Sequence, residues 1–322
     1  MEMGKPLRGA FAKTLLDQIV EVDRKIVYVG FGDSVIESLS VLSENKILSA
    51  PVADIKGRWL GFVDLIAILK FAYKKQGRDD VDLEVWREIM HAEMSQVLRT
   101  ATGDSLIFCT KESSLLQILP FFGGGVAHRC LVAVSDPKVN VLYNAYKIVS
   151  QIDVIVAMYD MVKNMSSKDN LLSPSEIGVI ASILSRAVSE TMLPMCKKMA
   201  TMTDTKTVLD AVSTLMRTGV SCLGILDLEG KLCANFSSSD LKGLRFLDDE
   251  FFLFKRNVIE FLFSYSPLSL KPVTISPETT LETMLELVVT KKIHRIWVVS
   301  ADGKPSHVIT LTDILQFINS LT

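Results

Sequence analysis

The feature of this sequence that most constrains its fold is an internal repeat, because one pattern of elements occurs four times along the chain. Each copy opens on Ser or Thr and continues with apolar residues at spacings of three and four, which predicts a helix with a hydroxyl N-cap. A β-rich run, a turn, a second short strand and a closing helix follow. The pattern therefore predicts an α/β repeat protein. The copies open at Ser34, Ser114, Thr207 and Thr280.

The last three repeats share a motif at the predicted junction between the second strand and the closing helix. There, a hydroxyl residue is followed three positions later by Asp. This Asp lies 33 positions after the opening residue in the third and fourth repeats and 39 positions after it in the second. The first repeat departs from the motif, with Asp64 and Ala67 at the two positions. The complete pairs are Ser150 with Asp153, Ser237 with Asp240, and Thr310 with Asp313.

These units resemble CBS domains, which are named for cystathionine β-synthase and which pair through their sheets into modules of two. The resemblance runs from about residue 25 to the C-terminus. Its most specific part is TTLETMLELVVTKKIHRIWVVSADGKPSHVITLTDILQFI, which resembles the fourth repeat of AMP-activated protein kinase gamma subunits, while SLLQILPFF and HRCLVAVSDPKVNVLY resemble the second. It implies an α/β fold of four CBS (βαββα-type) repeats, arranged as two tandem modules in a pseudo-symmetric disc.

The repeats and the segments between them define the predicted domain limits. We expect an N-terminal segment at 1–24 and repeats at 25–75, 104–163, 199–245 and 271–322. Linker helices are expected at 76–103 and 246–270, and an inter-module linker with a helix at 164–198. The boundary between the two modules is placed near residue 168.

An Asp at the start of a helix has an ordinary structural role, since its carboxylate accepts hydrogen bonds from free backbone N–H groups. Three copies at matched places favour a ligand role. In CBS domains this Asp typically accepts both ribose hydroxyls of an adenosine nucleotide, and the hydroxyl residue reaches the phosphates. An acceptor-only carboxylate suits a diol, and a helix N-terminus suits an anion. By resemblance, the main predicted site contains Thr310, Thr312 and Asp313, a second contains Ser237 and Asp240, and a third contains Ser150 and Asp153.

Two His-Arg dipeptides form the other predicted constellation. They occupy the same place in the second and fourth repeats, at the start of the first β-rich run after the helix. An isolated His-Arg pair is usually a strand-edge feature, but Arg offers planar bidentate donors for phosphate and His adds a donor. In gamma subunits such pairs line a channel where nucleotide phosphates converge, which implies phosphate contacts here. The residues are His128, Arg129, His294 and Arg295; the other repeats carry Leu48-Ser49 and Ser221-Cys222 instead.

Composition and charge exclude several other classes. The formal net charge of −2 gives no positive electrostatic field that would attract the phosphates of a nucleic acid. Mean hydropathy is high, at +0.31, but no run approaches the roughly 18 apolar residues of a spanning helix. Five scattered cysteines are typical of reduced thiols in an intracellular protein, in the cytoplasm or also the nucleus.

The remaining motifs favour neither catalysis nor metal binding. The three glycines at 123–125 lack the Lys-Ser/Thr of a phosphate-binding loop, so a helix C-cap is the better interpretation. His91 and His307 have no partners at metal-ligand spacing, and no nucleophile–base pair is visible. We therefore expect neither an enzyme nor a cofactor or metal protein.

The resemblance implies a non-catalytic regulatory subunit that binds AMP, ADP or ATP. Its partners would be the catalytic and scaffold subunits of a protein kinase of the AMP-activated type. Two alternatives stay open: a scaffold or inhibitor protein with degenerate nucleotide sites, and a nucleotide-responsive regulator of a non-kinase partner. Ala67 and the missing His-Arg pairs favour the scaffold, whereas the intact fourth repeat favours the sensor.

Overall fold

Each repeat forms a three-stranded sheet, whose second strand pairs in parallel with the first and antiparallel with the third. A helix connects the two parallel strands, as such a pair requires. The computed structural model describes residues 7–19, 26–76, 82–100, 105–133, 146–164, 172–191, 193, 199–242, 244 and 251–322. Its strands are β1 (Val29–Gly30), β2 (Ser49–Ala53), β3 (Trp59–Asp64), β4 (Phe108–Thr110), β5 (Arg129–Ala133), β6 (Tyr146–Ser150), β7 (Thr201–Thr203), β8 (Cys222–Leu226), β9 (Leu232–Ser237), β10 (Thr274–Ile275), β11 (Arg295–Val299) and β12 (Pro305–Thr310).

Helices flank each sheet and form the segments between repeats. The third repeat differs from the others, because a single 3-10 turn replaces its closing α-helix. The α-helices are α1 (Arg8–Lys13), α2 (Val35–Glu44), α3 (Leu65–Gln76), α4 (Leu83–His91), α5 (Met94–Thr100), α6 (Leu115–Gly123), α7 (Gln151–Lys163), α8 (Pro174–Leu184), α9 (Val208–Thr218), α10 (Val258–Tyr265), α11 (Leu281–Lys291) and α12 (Leu311–Ser320). The 3-10 helices are Leu16–Gln18, Val188–Glu190, Ser238–Leu241, Phe251–Lys255 and Pro267–Leu270.

The opening hydroxyl residues start the connecting helices, as the sequence predicts. Ser34, Thr207 and Thr280 each accept a hydrogen bond from the backbone N–H three residues later, at 3.3, 3.2 and 3.3 Å. At Ser114 the hydrogen bond involves the side chain of Gln117, whose Oε1 accepts from the Ser114 N–H at 2.8 Å. These local bonds satisfy donors that a helix start leaves free, so each helix begins where its sequence places a cap.

Segments outside the repeats close them in a regular order. The opening residue of every repeat forms an isolated β-bridge with a residue from a neighbouring segment. In each half of the chain, the segment before the first repeat bridges the opening residue of the second repeat. The segment between the two repeats bridges the opening residue of the first. The bridges join Ser34 to Glu93, Ser114 to Leu15, Thr207 to Asn257, and Thr280 to Ala187.

The N-terminal segment is fixed to the second repeat by a buried charge. Lys147 on β6 is 4% exposed, and its Nζ donates to Oδ1 of Asp17 at 2.8 Å and to the Asp17 carbonyl at 3.0 Å. The Leu16 N–H also donates to the carbonyl of Ser113 at 2.8 Å. Since a buried ammonium is costly without a partner, Asp17 ties residues 7–19 to this repeat.

Sheets hold the repeats together in pairs. Trp59 and Phe62 of the first repeat share a small core with Leu131 of the second. Between the third and fourth repeats, Trp297 is 1% exposed and packs on Gly224, where an added Cβ would lie 3.0 Å from the indole ring. The chain therefore forms two modules of consecutive repeats.

Helices join the two modules. One hydrophobic core combines the helices of the first and third repeats, and another combines those of the second and fourth. In the second core α6 lies against α12 so closely that a Cβ on Gly123 would be 2.8 Å from the Gln316 nitrogen and 2.9 Å from its Cα. The predicted helix C-cap is found at Gly124. Glycine is needed at position 123 because the two helices approach so closely there.

Several predicted positions lie outside the described residues. These are the domain limits after residues 24, 103 and 245, the module boundary near residue 168, and the longer connection at 134–145 in the second repeat. None of the helices in the described ranges combines the length and hydrophobicity needed to cross a membrane.

Candidate functional site

Strand register brings the two predicted constellations together. Arg295 at the start of β11 lies directly opposite Thr310 at the end of β12, and Arg129 lies opposite Ser150 in the same way. Each His-Arg dipeptide is thus adjacent to the hydroxyl-x-x-Asp motif of its own repeat. In the third repeat the residue opposite Ser237 is Cys222, so the corresponding place carries no cation.

Backbone hydrogen bonds place each histidine beside a helix start. The carbonyl of His294 accepts from the N–H of Leu311, the first residue of α12, at 3.2 Å. The carbonyl of His128 accepts from the N–H of Gln151, the first residue of α7, at 3.0 Å. Each His-Arg dipeptide therefore lies beside the N-terminus of a helix, and both features favour an anion.

All three hydroxyl-x-x-Asp pairs form capping boxes. The hydroxyl residue is the N-cap, and Oδ2 of the Asp accepts from its backbone N–H and its hydroxyl. At Thr310 these distances to Asp313 are 2.9 and 2.5 Å, and Asp313 is fully buried. The ordinary structural role thus accounts for one carboxylate oxygen in each pair.

The first repeat uses its Asp differently. Asp64 occupies the N-cap position at the end of β3, and its Oδ1 accepts from the N–H of Ala67 at 2.7 Å. Ala67 takes the place of the Asp in the other repeats and is itself buried. The carboxylate therefore lies one helical turn away from the equivalent position.

Asp240 of the third repeat binds its own chain through both oxygens. Its Oδ2 accepts from the N–H of Ser237 at 2.6 Å. Its Oδ1 accepts from the hydroxyl of Ser266 at 2.7 Å and from that of Ser269. Two hydroxyl donors on one carboxylate oxygen form the pattern that a ribose diol would offer, so Asp240 is already satisfied by the segment before the fourth repeat.

The two His-Arg dipeptides lie near enough for Arg129 and His128 of the second repeat to act on His294 of the fourth. Loss of solvent around the imidazole, followed by the charges of Arg295, Arg129 and His128, lowers the pKa of His294 to about 4, although the residue retains an exposed surface. Asp153 opposes this shift. His294 is therefore neutral at pH 7 and lies near two arginines, an arrangement suited to a phosphate.

Both arginines reach the other repeat of their own module. The guanidinium of Arg129 lies 5.7 Å from the ring centre of Phe62, in the first repeat. Arg295 approaches Cys222, in the third repeat, where burial raises the pKa of the thiol and the arginine acts in the opposite direction. Each arginine therefore contacts both sheets of its module.

Three further residues belong to these sites and are absent from the predicted set. Ser266 and Ser269 occupy Asp240, and Gln151 donates through Nε2 to Oγ1 of Thr312 at 2.9 Å. No signal in the sequence marks the serines, because the segment before the fourth repeat has no counterpart in the repeat pattern. Gln151 lies directly after the motif residue Ser150, so the sequence places it at the helix start. The sequence does not indicate that its partner is Thr312.

Two other features lie apart from this site. A cleft between α7, α8, α11 and α12 is lined mostly by apolar side chains, among them Met158, Ile183, Met284 and Phe317, and by no predicted site residue. Within the described ranges, no group of three or more His, Cys, Asp or Glu side chains could hold a metal ion.

The repeated three-stranded sheets and capped helix starts have the fold that the resemblance to CBS domains predicts. Residues 268–320, which contain β10 to β12 and the helices α11 and α12, match the family model of the CBS domain. This match agrees with the sequence prediction for the fourth repeat.

The chain as a whole is similar to gamma-type regulatory proteins. It is 22% identical over 342 aligned positions to the SNF1-related protein kinase regulatory subunit gamma-like PV42a of Arabidopsis thaliana, and 21% identical to PV42b of the same organism. Each alignment covers 92% of both chains. The crystal structure of protein MJ1225 from Methanocaldococcus jannaschii, a proposed archaeal homologue of g-AMPK, superposes with a TM-score of 0.66 at 16% identity, covering 94% of this chain and 99% of that one. The predicted resemblance and the predicted α/β fold of CBS repeats in two tandem modules are confirmed.

Proposed function

We propose that this chain is a non-catalytic regulatory subunit that binds an adenine nucleotide and adjusts the activity of a partner protein kinase. The main support is the position of His294 and Arg295 beside the start of α12, with Arg129 and His128 of the second repeat near enough to affect the charge of His294. The names of the Arabidopsis relatives support a kinase as partner, through its catalytic and scaffold subunits.

In this proposal the nucleotide lies at the fourth repeat and extends toward the second. Asp313 accepts the ribose hydroxyls after the groups that bury it have moved, and Thr312 donates to the phosphates. Thr310 donates to the phosphates only after its hydroxyl has turned away from Asp313, which accepts its hydrogen in the free chain. The two His-Arg dipeptides contact the phosphate oxygens through His128, Arg129, His294 and Arg295. Ser150 and Asp153 occupy the equivalent position of the second repeat and form the other side of the same site.

The first and third repeats have structural roles in this proposal. Asp240 is satisfied by Ser237, Ser266 and Ser269, and a nucleotide would have to displace the two serines. In the first repeat, Ala67 cannot accept a ribose hydroxyl. One occupied site, rather than four, is therefore expected.

Binding of AMP should take up a proton at His294. The free residue has a pKa of about 4, and a bound phosphate dianion favours the imidazolium form, so the pKa rises in the complex. Since the bound state holds more protons, AMP affinity rises as pH falls from 8 toward the pKa of the complex. Calorimetry at pH 7.5 in two buffers of different ionisation enthalpy measures this uptake. His294→Gln should abolish it, and an equal uptake in that variant would assign the proton elsewhere.

Calorimetric titration of the purified chain with AMP, ADP and ATP tests the nucleotide function. The expected result is saturable binding at one site per chain, with affinities that differ among the three because their charges differ. A regulator shifts its partner only through different affinities for the partner's two states. Purification of the endogenous protein with its partners should then recover a protein kinase. A folded chain that binds none of the three nucleotides would contradict the proposal.

A scaffold function is the second candidate, and two observations favour it. Asp240 is occupied by its own chain, and the first repeat lacks the carboxylate at position 67. A scaffold would still recover the kinase on purification but would give no heat with any nucleotide. Recovery of a transporter or another enzyme, together with nucleotide binding, would instead favour the regulator of a non-kinase partner.

A further inference from the structure

A buried amide connects the second and fourth repeats. Gln151, at the start of α7, is 5% exposed, and its Nε2 donates to Oγ1 of Thr312 at 2.9 Å and to the carbonyl of Phe122 at 3.0 Å. Both hydrogen atoms of the amide are therefore used, one within its own module and one across the module interface. The backbone N–H of the same residue donates to His128.

This contact determines how Thr312 can act. A hydroxyl group has one hydrogen to donate and two acceptor positions. Because Gln151 supplies the hydrogen of the bond between them, the oxygen of Thr312 is the acceptor and its own hydrogen points elsewhere. Thr312 is therefore held as a donor, which is the form that a phosphate oxygen needs.

We propose that Gln151 is a positioning residue that fixes the donor direction of Thr312, so that phosphate binding at the fourth repeat depends on the second. This inference rests on the proposed nucleotide site. The hydrogen bond gives the two modules a specific contact in addition to the apolar packing of α6 on α12. Through this contact, nucleotide binding at one module can affect the other. It also explains why a polar side chain lies in an otherwise apolar helix interface.

A double-mutant cycle between the two residues tests this dependence. Gln151→Met should weaken AMP binding about five- to tenfold, and Thr312→Val about tenfold, as expected for a hydrogen bond to a charged group. In the Thr312→Val background, Gln151→Met should have no further effect. Gln316→Met, which changes an exposed glutamine on α12, is the matched control and should leave AMP affinity unchanged.

A second substitution, Gln151→Glu, tests the same role if Gln151→Met fails to fold. Gln151→Glu keeps the shape of the side chain, but its ionised form accepts the Thr312 hydrogen and so removes the donor. AMP affinity relative to wild type should fall about tenfold or more at pH 8 and recover toward wild type at lower pH, as the buried carboxyl group takes up a proton. Circular dichroism at both pH values separates this result from a loss of folding, which protonation of a buried carboxylate would also relieve.

The outcomes separate this inference from the function on which it rests. If the wild-type chain binds no nucleotide, the proposed function fails. If it binds AMP and the two substitutions act independently, or if neither Gln151 variant alters AMP affinity, then the proposed role of Gln151 is overturned while the nucleotide site stands.

Discussion

Replacement of Gly123 by alanine should destabilise the protein by about 3 kcal/mol, the upper end of the usual cost of overpacking. The new Cβ would lie 2.8 Å from the backbone nitrogen of Gln316 and 3.0 Å from the carbonyl carbon of Leu315. Backbone atoms cannot rotate away as a side chain can, so α6 and α12 must separate. Urea unfolding followed by circular dichroism measures the effect, and the loss should fall on the interface between the modules.

Gly178→Ala is the matched control for this substitution. Gly178 also lies within a helix, α8, but no atom is within 4 Å of the position that its Cβ would take. Alanine there should stabilise the protein by roughly 0.5–1 kcal/mol, because glycine is a poor helix former. Equal effects of the two substitutions would mean that α6 and α12 do not approach as closely as described.

Asp313→Asn should reduce AMP affinity at least about 100-fold, since the site loses a charged acceptor for two ribose hydroxyls. Asparagine keeps one oxygen that can accept the cap hydrogen bonds from Thr310, so the helix start should persist. Its NH₂ group cannot accept from the diol. Calorimetry with AMP measures the affinity, and circular dichroism confirms that the variant is folded.

The corresponding change in the third repeat, Asp240→Asn, provides the comparison. Ser266 and Ser269 can accept hydrogen bonds from an amide as well as donate to a carboxylate, so the local structure should adapt. AMP affinity should stay within about twofold of wild type, because in this proposal Asp240 shares no partner with the nucleotide. A loss as large as that of Asp313→Asn would show that the third repeat also binds the nucleotide.

Sequence reasoning could predict the elements that local patterns determine. The opening hydroxyls and the apolar spacing that follows them locate the helix starts, because capping and amphipathicity act within one or two turns. The counted distance to the Asp motif identifies the repeat, and the repeat leads to the sheets. The two His-Arg dipeptides could be placed near the Asp motifs only through the family resemblance, but strand register explains their proximity.

The parts that could not be predicted depend on contacts between distant segments. Ser266 and Ser269 reach Asp240 because the segment before the fourth repeat crosses the third. Gln151 meets Thr312, and Gly123 meets Gln316, only once the two modules have packed together. None of these pairs has a periodic signal, so one sequence alone cannot reveal them.

The order in which outside segments close the repeats bears on how the chain is made. Every segment that bridges the repeats of the first module, including residues 7–19, precedes the second module, so the first half is synthesised with all of them before the second half. Removal of residues 7–19 would damage the second repeat, to which they bind, and spare the first, which follows them in sequence. An excised second module would likewise need Ala187 at its start to complete the last repeat. A division into half-chains keeps every repeat with the segment that bridges its opening residue, but it separates the two cores that the modules share. Cutting at the borders of single repeats would remove those bridging segments as well.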